Sequence, residues 1–216
     1  MIAAIFAGDQ TKIHDLDELL ALFPAPLRNH SRRVAICSAI IAEYTIDLLN
    51  VYDIPTANSL PMIAYLGGTC HDIGKLMLPA NDVREDEYLM HPSLGADLLE
   101  KYKDDLFESE RFAQMVLDIV RYHHEHSDGS GFPKGLRAGD IPLTAEICLV
   151  ADKLDHHMYT IDAEDGKSSA VCRSLEWLKA EAGKQFCECI LVCVERAWPN
   201  LSEKYASWNH YTDSPK

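Results

Sequence analysis

Hydrophobic positions along most of this chain recur every three to four residues, the spacing that gathers them on one face of an α-helix. The stretch "DLDELLALF" (15–23) opens acidic, offers a capping pair in its first turn, and is stopped by Pro24 and Pro26. From about Leu27 to Leu49, the positions Val34, Ile36, Ala39, Ile40 and Ile41 mark a second helix. Ser59 followed by Pro61 starts a third, which carries Ile63, Ala64 and Leu66. The same spacing predicts helices over roughly 92–103, 108–124, 143–157, 168–182 and 184–198. The Gly- and Pro-rich "HSDGSGFPKGLRAGDIP" (126–142) reads as a loop, as does the polar run 160–169. No segment alternates apolar and polar residues as a half-buried strand would, and no repeat or low-complexity tract interrupts the pattern. The expectation is an all-α fold: a helical N-terminal segment (1–26) followed by a single helical-bundle domain (27–216).

Composition changes this picture little. With 216 residues, 47% of them hydrophobic and 25% charged, the chain suffices for one sizeable core. No apolar run reaches the length of a membrane span, and the opening "MIAAIFAG" lacks a basic leader. It reads as the start of the domain, and the expected location is the cytoplasm. The net charge of −14 excludes a polyanion-binding surface and hence a nucleic-acid polymer, yet permits a small anionic substrate held through metal ions. Seven cysteines, an odd number without an export signal, read as reduced and buried thiols. Cys187, Cys189 and Cys193 fall in one helical stretch, where positions two apart diverge, so no metal cluster is expected of them.

The candidate chemistry lies in five short blocks: His30 in "NHSRRV", His71 and Asp72 in "TCHDIGK", His91 in "MHPSLG", His123 and His124 in "RYHHEHSDG", and Asp152 in "VADKLD". Each lies in or at the end of an apolar helical pattern, which aims these side chains at a common interior point. Imidazoles and carboxylates suit Fe, Mn, Zn and similar ions, and the absence of thiols argues against a structural zinc site. The ligands suffice for two metals: His30, His71, Asp72 and Asp152 for one, and Asp72, His91, His123 and His124 for the other. Asp72 bridges them, since a carboxylate serves two ions and an imidazole one. Lys75 lies three positions after Asp72, where it either holds a phosphate oxygen or pairs with Asp72. Glu125 and Asp128 either orient an imidazole or, for Asp128, cap the Gly-rich turn. His14, His126, His156, His157 and His210 read as ordinary hydrogen-bonded histidines.

The ordered set "HDIGK", "HPSLG", "HHEHSDGSGFPKGL" and "VAD" resembles the HD-GYP branch of the HD-domain phosphohydrolases from about His30 to Asp155. That resemblance implies an all-α fold around two or three metals, often iron or manganese, and hydrolysis of cyclic di-GMP or its linear product pGpG in bacterial signalling. It agrees with Lys75 as a phosphate contact, and with Asp72 supporting a metal-bridging hydroxide as nucleophile. Gly131, Phe132 and Pro133 stand at the Gly-Tyr-Pro position, lining the pocket or a surface for a diguanylate cyclase or other signalling partner. Pro26 stands where members with three metals carry Glu, so two divalent ions are expected: Fe or Mn, with Ni, Co, Zn or Mg also accommodated. No arginine follows Asp152 where the family holds substrate phosphates; Ile161 and Glu164 lie there instead. Lys134, Arg137 and Lys153 are the candidate substitutes. The competing functions are hydrolysis of another nucleotide and a catalytically weak module that binds cyclic dinucleotides.

Overall fold

The structure of the chain, a computed structural model, describes residues 16–49, 59–79, 81–107, 109–165 and 167–208, without the side chains of 16, 17 and 161–169. Its helices are α1 (Leu16–Ala21), α2 (Ala25–Leu49), α3 (Leu60–Cys70), α4 (Glu85–Tyr88), α5 (His91–Leu106), α6 (Glu110–Tyr122), α7 (Leu143–Asp165), α8 (Lys167–Ala180) and α9 (Glu188–Ser207). A 3₁₀ turn at Ile73–Met77 follows α3. Strands are absent among the described residues, which hold two isolated bridges, Asp128 with Arg137 and Ala182 with Phe186. The all-α expectation is borne out.

The longest helix, α2, buries His30, Ser31, Val34, Ala35, Cys37, Ser38, Ile41, Ala42 and Thr45. That is one apolar stripe with a histidine at its N-terminal end. Packed against it are α3, α7 and α9. Ile147, Leu149, Val150, Ala151 and Leu154 of α7 are at most 1% exposed, so this helix is enclosed on several sides at once. It contacts α2, α3, α6 and α8. A second, smaller core seats Leu19, Leu20 and Phe23 against Cys70, Ile73, Leu98, Leu99 and Val120. The short first helix thereby covers the layer under the 3₁₀ turn.

Several boundaries differ from the pattern. Helix α2 begins two residues earlier, because Pro26 in the first turn lacks an N–H that has no intrahelical partner there anyway. Helix α7 continues to Asp165 and α8 opens at Lys167, so 160–165 and 167–169 are helical rather than a loop; polar residues on a helix end exposed at Tyr159 and Thr160 break no packing rule. Helix α9 starts at Glu188 and runs through Pro199 to Ser207. Its proline costs about 3 kcal/mol in a helix interior, which the burial of Leu201 and Tyr205 beyond it offsets. The expectations for the opening residues, His14 and His210, and for the side chains of Ile161 and Glu164, lie outside the described residues.

One close approach fixes the centre of the molecule. Gly74 lies against the backbone of α5, where a Cβ would overlap the His91 carbonyl oxygen and sit 2.7 Å from the Gly95 nitrogen. Only glycine lets the 3₁₀ turn that follows Asp72 meet the first turn of α5. Gly74→Ala is therefore expected to destabilise the protein by about 1–3 kcal/mol, the usual scale of overpacking. Denaturant unfolding measures this, and an unchanged midpoint would show that the two segments part without cost.

Candidate metal centre

Five structural elements converge on Asp72. It follows the C-terminal end of α3, where the chain leaves the α-helix for the 3₁₀ turn. His71 precedes it, His30 comes from α2, His91 opens α5, His123 and His124 follow α6, and Asp152 lies in α7. His71, His91 and His123 are completely buried, Asp72 and Asp152 nearly so.

Local backbone geometry aims the imidazoles. The Nδ1 atoms of His71, His91 and His123 lie 2.8, 2.7 and 2.9 Å from the carbonyl oxygens of Gly68, Tyr88 and Val120, each three residues earlier. A carbonyl only accepts, so Nδ1 carries the proton and Nε2 is left with its lone pair facing inward. His30 is held differently: its Nδ1 lies 2.8 Å from Asp155 Oδ2, and Arg33 donates to both oxygens of that carboxylate at 2.8 and 3.0 Å.

The two oxygens of Asp72 face different neighbours. Oδ1 lies 3.3 Å from His91 Nε2 and 3.9 Å from His123 Nε2. Oδ2 lies 3.4 Å from His71 Nε2, 3.8 Å from His30 Nε2 and 2.6 Å from Lys75 Nζ. Asp152 Oδ1 is 3.1 Å from His30 Nε2 and 3.7 Å from His71 Nε2. Ligand atoms therefore gather as Asp72, His91, His123 and His124 on one side, and as His30, His71 and Asp72, continued by Asp152, on the other. The chain carries His/Asp clusters able to bind metal.

The residues fit such ions on their own evidence. Buried and without a hydrogen-bond partner are the Nε2 atoms of His30, His71, His91 and His123, both ring nitrogens of His124, Asp72 Oδ1 and Asp152 Oδ2. His30 Nε2 nonetheless lies 3.1 Å from Asp152 Oδ1, an ion-pair contact. Burial and neighbouring histidines hold His123 and His124 well below the usual histidine pKa, so both are neutral donors. Burial alone would raise Asp72, but His71 and Lys75 keep it well below the usual carboxylate range. Burial likewise opposes charge on His30, yet Asp152 and Asp155 push it up to about 10.

The remaining expected residues separate by position. Lys75 pairs with Asp72; in a 3₁₀ turn residues three apart eclipse, and this, not an α-helical face, brings them together. Phe132 stacks on His124 with ring centroids 4.7 Å apart and lines the centre's edge. Gly131 packs against the His124 carbonyl and the His126 nitrogen, where a Cβ has no room; exposed Pro133 follows it. Lys134 donates to the Tyr122 hydroxyl at 3.1 Å and lies over its ring. Arg137 packs beside Gly129 on the exposed loop. Half-buried Lys153 is close enough to depress both His124 and His126. Glu125 orients no imidazole; it accepts from the Lys134 and Leu136 nitrogens at 2.6 and 2.7 Å and so clamps the loop. Asp128 caps the turn, accepting from the Ser130 nitrogen at 2.8 Å.

Sequence reading missed three residues. Asp155 and Arg33 orient His30, and His156, assigned an ordinary role, stands at the rim with its Nε2 3.4 Å from Asp152 Oδ1. The available signal was spacing: Asp155 and His156 lie three and four residues after Asp152, on the same helical face. The premise applied to the cysteines also fails. Cys187 is not helical but precedes α9 in extended backbone, and its sulfur lies 2.6 Å from that of Cys189. Nor are the thiols uniformly buried, since Cys172 and Cys189 are exposed.

Comparison with known proteins agrees with this geometry. The profile of the family described as HD domain matches residues 27–156. A cyclic di-GMP phosphodiesterase of Pseudomonas aeruginosa is 30% identical over 152 residues, covering 67% of this chain and 34% of that protein. The cyclic di-GMP phosphodiesterase response regulator RpfG of Xanthomonas campestris is 32% identical over 141 residues, covering 57% of this chain and 33% of its own. The chain thus spans about a third of the length of these curated relatives. In fold it is similar to the HD domain of the L. monocytogenes phosphodiesterase PgpH, solved with cyclic-di-AMP, at a TM-score of 0.53 and 17% identity, covering 88% of this chain and 98% of that one.

Two outcomes test the centre. Asp72→Ala is expected to abolish binding of both ions, whereas His91→Ala removes at most one; elemental analysis of metal-loaded protein distinguishes them, and equal losses would contradict the bridging carboxylate. In the metal-free protein His30 is protonated at neutral pH and must release that proton to coordinate. Its raised pKa stabilises the metal-free fold fully below the unfolded value near 6.5, and this contribution disappears as pH rises through about 10. Apparent metal affinity should therefore rise with pH through the neutral range, and His30→Gln should flatten the dependence. Titration calorimetry in buffers of different ionisation enthalpy measures the released proton.

Proposed function

The chain belongs to the HD domain family, and on that premise we propose that it is a metal-dependent phosphodiesterase acting on cyclic di-GMP or its linear product pGpG. The observation that carries this reading is the convergence of unpartnered imidazole and carboxylate atoms on the two faces of Asp72. We assign His30, His71, Asp72 and Asp152 to one divalent ion and Asp72, His91, His123 and His124 to a second; the all-N/O ligand set accepts several divalent metals, and the family resemblance favours iron or manganese. The reading treats 27–216 as the phosphohydrolase domain. As the proposed substrate is a signalling nucleotide, the reading places the activity in the cytoplasm.

Ions bound there would supply Lewis acidity and acidify water at neutral pH. The protein's part is positioning. The Nδ1-anchored histidines present their Nε2 lone pairs without rearrangement, because the carbonyls behind them fix each ring. Lys75, 21% exposed in its side chain, is the cation between the buried centre and solvent. Once Asp72 is committed to metal, its ammonium group is free to turn to a phosphate oxygen of the substrate. Phe132 on His124, and exposed His156 beside Asp152 on α7, offer rim surface on which a base or ribose would rest.

Substrate grip is where the chain departs from its relatives' branch. No arginine occurs between Asp152 and Lys167, and an arginine fork contacts phosphate in two directions where lysine offers a single point charge. Of the proposed substitutes, Lys153 has the best support, following Asp152 directly in α7 and acting on His124 electrostatically, whereas Lys134 is engaged by Tyr122. The missing arginines also favour a second reading, in which the substrate is another cyclic dinucleotide or a nucleoside phosphate; a substrate panel separates the two.

Each lost charge-assisted contact, worth roughly 1.5–3 kcal/mol, weakens binding by about ten- to 150-fold. We expect detectable cyclic di-GMP hydrolysis by anaerobically prepared, metal-loaded protein, with a high KM that rises with ionic strength. Lys75→Ala and Lys153→Ala should each raise KM by about tenfold or more, and Lys134→Ala should leave it nearly unchanged. Tight binding indifferent to Lys75 would place the phosphate contacts elsewhere. Turnover of neither nucleotide by protein holding both ions would overturn the function itself.

A further inference from the structure

A second group of metal-ligating atoms stands apart from the centre around Asp72. Glu146, in the first turn of α7, faces Cys187 and Cys189 at the start of α9, and one ligand atom from each lies within 4.8 Å of the others. Glu146 is 7% exposed, and its Oε1 is buried with no hydrogen-bond partner. Cys187 and Cys189 are free thiols whose sulfur atoms lie 2.6 Å apart. None of the three contributes to the His/Asp clusters.

We propose that Glu146, Cys187 and Cys189 form a separate structural site for one divalent ion of the zinc class. Three observations support that ion. The donors are two sulfurs and one carboxylate oxygen, a set that borderline-soft ions accept in four-coordinate geometry with water completing the shell. Isolated burial of a carboxylate oxygen is costly, and a cation relieves it. Cys187 caps a helix of 20 residues and Cys189 lies in its first turn, so one helix start holds both sulfurs side by side.

The location gives such an ion a structural consequence. It would tie the start of α9 to the start of α7, the helix that carries Asp152. The loop just before Cys187 is already paired with the Gly-rich loop: Ser127 donates to the Gln185 carbonyl at 3.1 Å and Asp128 to that of Lys184 at 2.9 Å. One ion at Glu146 would thus brace, from outside, the segment that places Phe132 against His124.

Cadmium distinguishes this site from the His/Asp centre, because only thiolate ligation gives a sulfur-to-cadmium charge-transfer band in the ultraviolet. Full-length reduced protein titrated with cadmium should develop that band with one equivalent, and zinc should displace it. Cys187→Ser and Cys189→Ser together should abolish it, while Cys37, Cys70, Cys148, Cys172 and Cys193 remain. Glu146→Gln, close in size, should keep the helical circular dichroism spectrum and weaken cadmium binding by about tenfold or more. Asp72→Ala should leave the band intact, which separates this site from the proposed catalytic ions. Absence of the band, its survival in the double serine variant, or unchanged affinity in Glu146→Gln would overturn the proposal. So would formation of a Cys187–Cys189 disulfide, seen by mass and thiol counting, in protein handled without oxidant.

Discussion

The structure turns on the burial of polar atoms that the protein itself does not satisfy. A buried donor or acceptor without a partner costs about 1–3 kcal/mol, and the net stability of a domain is only ~5–15 kcal/mol. The atoms concentrated around Asp72 would therefore spend much of the folding free energy if they stayed unpaired. Cations resolve the conflict, since they accept lone pairs from every direction at once and offset the carboxylate charge. The same property that makes the site costly when empty makes its metal affinity part of the stability of the fold.

Three of the five ligand-bearing elements use one local device. A histidine at or just past a helix end sends Nδ1 back to the carbonyl three residues earlier, which fixes the tautomer and directs Nε2 to the centre. His30 lies within α2 instead, where its neighbouring carbonyls are committed to the helix. It depends on Asp155, 125 residues away, and Asp155 depends in turn on Arg33. That arrangement makes the α2–α7 packing part of the coordination chemistry: a shift of either helix changes the orientation of one ligand. Gly74 plays the corresponding part for α5 by allowing the 3₁₀ turn to come within contact of His91.

Much of this was legible in the sequence because ligand chemistry is local. "HD" and "HHE" place their donors side by side, and the apolar periodicity around them predicts burial. The helices were legible for the same reason. What was not legible depended on contacts between distant segments or on backbone departures from regularity. Asp155 acquires its role only when α7 meets α2, and Glu125 only when the Gly-rich loop folds back on its backbone. Lys75 reaches Asp72 through a 3₁₀ turn that no periodicity announces. Cys187 stands just outside α9, and that single non-helical residue turns two diverging thiols into neighbours. Pro199, a stop signal in the sequence, is overridden by the burial of Leu201 and Tyr205 beyond it.

The proposed function rests on Asp72, whose carboxylate would serve two ions through its two oxygens. Anomalous scattering from crystals loaded anaerobically with manganese tests it most directly. The account predicts two peaks flanking Asp72: one among His30, His71 and Asp152, the other among His91, His123 and His124. A single peak, or manganese bound away from Asp72 while these imidazoles stay unoccupied, would contradict it.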